Sequence, residues 1–67
     1  MTKQNGQLAR AHCGVELPLK VLRSAAGFFI GTEQNGEVYS RESEYFATRD
    51  LAETALATDA WSQRAHP

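Results

Sequence analysis

The adjacent His12 and Cys13 are the residues whose types best suit chemistry. A thiol beside an imidazole suits nucleophilic catalysis, and the pair supplies two of the four ligands that a zinc site usually needs. The spacing supports neither use, because the next candidate ligand, His66, lies far along the chain and no base is held across from the thiol. We therefore expect an ordinary thiol, no cofactor, no metal and no enzymatic activity.

Composition indicates one small globular domain. The chain has 67 residues, 42% of them hydrophobic and 22% charged, and one cysteine, which excludes an intramolecular disulfide. The polar N-terminus lacks the apolar core of a signal peptide, and no apolar run approaches the roughly 20 residues needed to span a bilayer. These features predict a cytoplasmic protein that does not cross a membrane.

The net charge of −1 hides an asymmetry. Residues 1–32 carry four basic side chains against one acidic one, a net of +3, whereas residues 33–59 carry seven acidic against two basic, a net of −5. An acidic half is unfavourable for contact with phosphates, so it disfavours nucleic-acid binding in that region.

The elements that position these side chains begin after a polar stretch. Residues 1–14 show no periodicity and predict a flexible lead-in. Strict alternation of apolar and polar residues over 15–24 predicts a first strand, and Pro18 predicts that this strand is an edge or begins there.

A β-hairpin is the strongest local signal, with Asn35 and Gly36 between two strands over residues 28–33 and 38–43. A two-residue loop would set Ile30 opposite Arg41, which mixes charge into the apolar face. We therefore favour a three-residue loop with Gly36 left-handed, which sets Ile30 opposite Ser40 and places the Tyr39 ring over Gly31.

Thr48 is the predicted N-cap of a helix over residues 49–57, and residues 62–67 predict a frayed tail. Trp61 either folds back onto the junction of helix and sheet or anchors a partner. The predicted fold is α+β, a three-stranded antiparallel sheet with one C-terminal helix packed on one face, in a domain over residues 15–61. Its predicted core comprises Leu19, Val21, Phe28, Ile30, Val38, Phe46, Leu51, Leu56 and Trp61.

On this register the outer face of the sheet shows Phe29, Tyr39 and Arg41. Aromatic residues beside an arginine are favoured at binding hot spots, although the same side chains could simply shield a thin sheet. The leading hypothesis is a binding module that acts through protein contacts, including a homodimer through an exposed strand edge or this face. The alternative is a nucleic-acid-binding domain with Lys20, Arg23 and Arg41 as phosphate contacts.

The stretch Phe46-Ala47-Thr48-Arg49-Asp50-Leu51-Ala52 resembles the Phe-x-Thr-x-x-x-Ala pattern that opens the helix after a three-stranded sheet in two DNA-binding families. These are the plant AP2-type factors and the arm-binding domains of tyrosine recombinases, and the resemblance covers about residues 28–56. It implies a sheet laid in the major groove, whereas the hairpin here is acidic. Residues 20–24, 27–32 and 39–43 are also similar to short uncharacterised bacterial proteins, some from mobile elements, which implies a domain type without a mechanism.

Overall fold

The computed structural model describes residues 5–65 and confirms the predicted α+β fold. Three antiparallel strands lie in the order β1-β2-β3, and one helix, α1, follows them and packs on the sheet. The strands are β1 Lys20–Ser24, β2 Gly27–Gln34 and β3 Glu37–Phe46, and the helix is Arg49–Thr58. A short π-helix, Ala9–Cys13, precedes the sheet.

The first strand begins later than predicted. β1 forms an edge of the sheet and starts at Lys20, five residues after the start of the alternating pattern. Pro18, which has no N–H to give to a ladder, forms an isolated bridge with Asn5 instead. The Gly6 N–H donates to the Leu17 carbonyl at 3.0 Å, so residues 5–18 make their own contacts beside the sheet.

The predicted three-residue hairpin loop is wrong. Gln34 pairs with Glu37, which leaves Asn35 and Gly36 as a two-residue loop with φ values of 55° and 82°. Positive φ at both positions is the geometry that suits the right-handed twist of a hairpin. The left-handed Gly36 was predicted correctly, but the register that was attached to it was not.

Two irregularities in β3 then change the register along the strand. Glu33 pairs with Val38, but Thr32 pairs with Ser40, so Tyr39 is an extra residue at a first bulge. A second shift lies between Gly31 and Phe29, and there the Ile30 N–H donates to the Ser43 hydroxyl at 2.8 Å. The Ser43 side chain thus replaces a backbone hydrogen bond of the ladder. Because the register shifts, Gly31 and not Ile30 pairs with Arg41, so a two-residue loop is compatible with an apolar environment for Ile30.

Helix α1 begins as predicted at the Thr48 N-cap, whose hydroxyl accepts the Leu51 N–H at 3.2 Å. The buried face of the helix is made by Ala52 and Ala55. Small side chains on this face allow a close approach to the sheet.

The core is centred on Ile30, Ala55 and Trp61, with Leu19, Phe46 and Leu56 packed against it. Burial of Trp61 matches the prediction that it folds back onto the junction of helix and sheet. Val38 and Leu51 were predicted to be core residues and are wrong, since each is 55% exposed. Val38 lies before the first bulge, and α1 turns its alanines rather than Leu51 toward the sheet.

The two end segments were predicted to be flexible or frayed, and the described parts of both make specific contacts. In residues 5–14, Leu8 and Ala9 are buried. In residues 62–65, the Arg64 N–H donates to the Glu42 carbonyl at 2.7 Å. Both segments are held by β3, whose long-range contacts are not visible in local sequence patterns. Residues 1–4 and 66–67 of these predicted segments lie outside the described part of the chain.

Candidate functional site

Three side chains on β2 and β3 form the aromatic–arginine cluster: Phe29, Arg41 and Tyr45. The Tyr45 ring meets Phe29 edge to face, with centroids 5.9 Å apart and an interplanar angle of 85°. The Arg41 guanidinium carbon lies 4.1 Å from the centroid of the Tyr45 ring. Phe29 is 4% exposed and Tyr45 is 43% exposed, so the cluster has a buried base and an open top.

Strand pairing positions this cluster. Phe29 pairs with Tyr45, and Gly31 pairs with Arg41. A Cβ atom on Gly31 would lie 2.9 Å from Phe29 Cε2, so the glycine leaves the space that the Phe29 ring occupies. Arg41 Nη1 also donates to the Ser43 carbonyl at 2.8 Å. The guanidinium is therefore held at two points.

The structure brings together two of the three predicted site residues, Phe29 and Arg41, through Tyr45, but Phe29 is buried and not exposed as predicted. The third, Tyr39, lies at the first bulge, where its carbonyl accepts the Cys13 thiol at 3.9 Å. The predicted cover of Gly31 by Tyr39 is wrong, because Phe29 occupies that place. Tyr45 was not among the predicted site residues. Alternation from Arg41 through residue 46 would have placed Tyr45 on the Arg41 side.

The three basic residues of the nucleic-acid alternative lie in different surroundings. Lys20 Nζ pairs with Glu33 at 3.4 Å. Arg23 lies 5.8 Å from the centroid of the Phe28 ring, and Arg41 is stacked on Tyr45. Because Lys20 and Arg23 are three residues apart on one strand, their side chains leave opposite faces of the sheet. The structure therefore does not gather the three into one basic patch.

Cys13 is exposed at the end of the N-terminal π-helix, and His12 beside it is exposed too. His66, the third residue considered for a metal site, lies outside the described residues. Within residues 5–65, no three His, Cys, Asp or Glu side chains are grouped to hold a metal ion.

A second notable centre is Glu42, which is completely buried. Burial by itself raises the pKa of this carboxyl. The hydrogen bonds from the Leu8 N–H, the Ser40 hydroxyl, the Gln63 amide and the Ala9 N–H outweigh burial and hold the pKa below its ordinary value. Glu42 is therefore a buried carboxylate that stays ionised, although it lies in the acidic half of the sequence.

Comparison with family models, curated proteins and solved structures found no match to this chain. In the part of the chain that the structure describes, no helix is long and apolar enough to cross a membrane.

Proposed function

We propose that this chain is a small non-enzymatic binding module that acts through protein contacts made by the aromatic–arginine cluster. The observation that carries the proposal is the Arg41 guanidinium stacked on a Tyr45 ring that is itself 43% exposed. Tyrosine and arginine are enriched among the residues that dominate binding energy in protein interfaces.

Preorganisation supports the same proposal. Immobilising a free side chain at an interface costs about 0.5 to 1.5 kcal/mol. Arg41 has already lost much of that freedom, because it stacks on Tyr45 and donates to the Ser43 carbonyl. Tyr45 is similarly fixed by its edge-to-face contact with Phe29. The exposed top of the cluster is thus a rigid contact point.

The first partner to test is a second copy of this chain. Size-exclusion chromatography with light scattering over a wide concentration range gives the oligomeric state, and Tyr45→Ala is the test variant. Val38→Ala is the matched control, because Val38 is 55% exposed and lies on the same strand away from the cluster. We expect Tyr45→Ala to weaken self-association about tenfold or more and Val38→Ala to leave it nearly unchanged.

A pull-down with the same two variants extends the test to other proteins. A wild-type chain that stays monomeric and captures no protein in a Tyr45-dependent manner would contradict the proposal. Titration with labelled DNA and RNA at low salt is the arm for the nucleic-acid alternative. A shift that weakens with salt and with Arg41→Ala would favour that alternative instead.

A further inference from the structure

Glu42 lies where three parts of the chain meet: strand β3, the N-terminal segment (residues 5–14) and the C-terminal segment (residues 62–65). Its carboxylate accepts the Leu8 N–H at 2.9 Å and the Ala9 N–H at 3.1 Å. It also accepts the Gln63 amide at 2.7 Å and the Ser40 hydroxyl at 2.6 Å. One side chain thus holds both segments.

Each group that donates to this carboxylate is neutral. The other titratable and charged side chains on β2, β3 and the two end segments are Arg10, His12, Cys13, Glu33, Glu37, Tyr39, Arg41, Glu44, Tyr45 and Arg64. Among the described residues, none of these forms an ion pair or a side-chain hydrogen bond with Glu42. A buried charge that depends only on neutral donors is stable only while those donors stay in place.

The N-terminal segment is fitted closely over this site. A Cβ atom on Gly6 would lie 2.6 Å from Glu42 Oε2 and 2.5 Å from Thr32 Cγ2, so the backbone at Gly6 covers both side chains. Ser40 gives its hydroxyl proton to Glu42, and Thr32 must therefore donate to the Ser40 hydroxyl, 2.6 Å away. Removal of the segment would expose to water the polar side chains of Thr32, Ser40 and Glu42, which are now buried.

We propose that the Glu42 carboxylate is a latch that couples the N-terminal and C-terminal segments, so that loss of its charge releases both segments while the three-stranded sheet stays folded. The coupling is mutual: loss of the Gln63 contact weakens the hold on Leu8 and Ala9, and loss of the N-terminal contacts weakens the hold on Gln63. The latch controls whether the sheet around Thr32 and Ser40 is covered.

Amide hydrogen exchange of the full chain at neutral pH tests the latch. In Glu42→Gln one carboxylate oxygen becomes an NH₂ group, which cannot accept a hydrogen bond, so one neutral oxygen replaces the two charged ones that accept from the four donors. We expect exchange of the Leu8, Ala9 and Arg64 amides to rise about tenfold or more, while the amides of the β2–β3 ladder near Gly31 keep their protection.

Two further variants keep the test decisive if Glu42→Gln fails to fold. Gln63→Leu removes only the contact from the C-terminal side, and the latch predicts faster exchange at Leu8 and Ala9. Glu44→Gln is the control, because the Glu44 carboxylate accepts the Ser62 N–H, at 3.1 Å. The glutamine oxygen can still accept this N–H, so the variant removes a charge from the same strand without breaking the Gln63 contact, and exchange at Leu8 and Ala9 should stay at the wild-type level. Unchanged exchange at Leu8 and Ala9 in Gln63→Leu would overturn the proposal.

Discussion

The candidate site depends directly on residue 31 being a glycine, which has no side chain. A Cβ atom there would collide with the Ser40 carbonyl oxygen and lie 2.9 Å from Phe29 Cε2. We expect Gly31→Ala to lower the free energy of unfolding by about 2 to 3 kcal/mol, because the rigid backbone of β3 cannot move aside. Urea denaturation measures the change.

Gly36→Ala is the comparison that separates crowding from backbone strain. Gly36 has a φ of 82° and open space around its Cα atom, so an added methyl group costs only the left-handed conformation, about 1 to 2 kcal/mol. If Gly31→Ala costs no more than Gly36→Ala, the close packing of Phe29 over Gly31 does not contribute as described.

At the same scale, residue identity predicted burial where the local pattern was unambiguous. Ile30 and Trp61 are large and apolar and are buried as expected. Val38 and Leu51 are equally apolar, but a bulge and the rotation of α1 leave them exposed. The side that a residue faces depends on features of the neighbouring strand and helix, which the side chain itself does not encode.

Among the elements, helix α1 depends on its N-cap. Thr48 has extended backbone angles and its hydroxyl accepts the Leu51 N–H. We expect Thr48→Ala to cost about 1 kcal/mol and to lower the melting temperature by roughly 4 to 8 °C. Thr48→Ser keeps the acceptor and should stay close to the wild type in the same thermal scan. Equal melting temperatures for the two variants would show that the cap does not stabilise the helix.

The elements that were predicted correctly are those with local signals. Asn35-Gly36 specifies the turn and Thr48 specifies the start of the helix, whereas alternation over residues 15–24 predicted the start of β1 five residues too early. The bulges were not predictable in this way, because one of them is held by the Ser43 hydroxyl on the Ile30 N–H, across two strands. Tyr45 consequently joined the candidate site without having been expected there.

The whole molecule should respond to acid through Glu42. Its pKa in the folded state is lowered, so its contribution to stability is fully present above the unfolded-state pKa near 4.5 and is lost as the pH falls through the lower folded-state value. Below pH 4.5, therefore, the free energy of unfolding should fall more steeply in the wild type than in Glu42→Gln. Urea denaturation over this pH range measures both slopes, and parallel slopes would contradict the assignment.

The end segments show what composition cannot predict about the whole chain. Residues 5–14 have no periodicity, yet Leu8 and Ala9 are ordered against a carboxylate more than 30 positions away in the sequence. Such a contact is set by the completed sheet. It can be recognised only in the folded structure, where β3 places the Ser40 and Glu42 side chains within hydrogen-bond distance of each other.

Trp61 gives the molecule an optical reporter of this arrangement. It is the chain's one tryptophan, it is buried in the core, and it lies two residues before the Gln63 that binds Glu42. Its emission wavelength depends on how much water reaches the indole. A red shift that precedes the loss of the far-ultraviolet circular dichroism signal of the sheet would therefore reveal departure of the C-terminal segment without any added label.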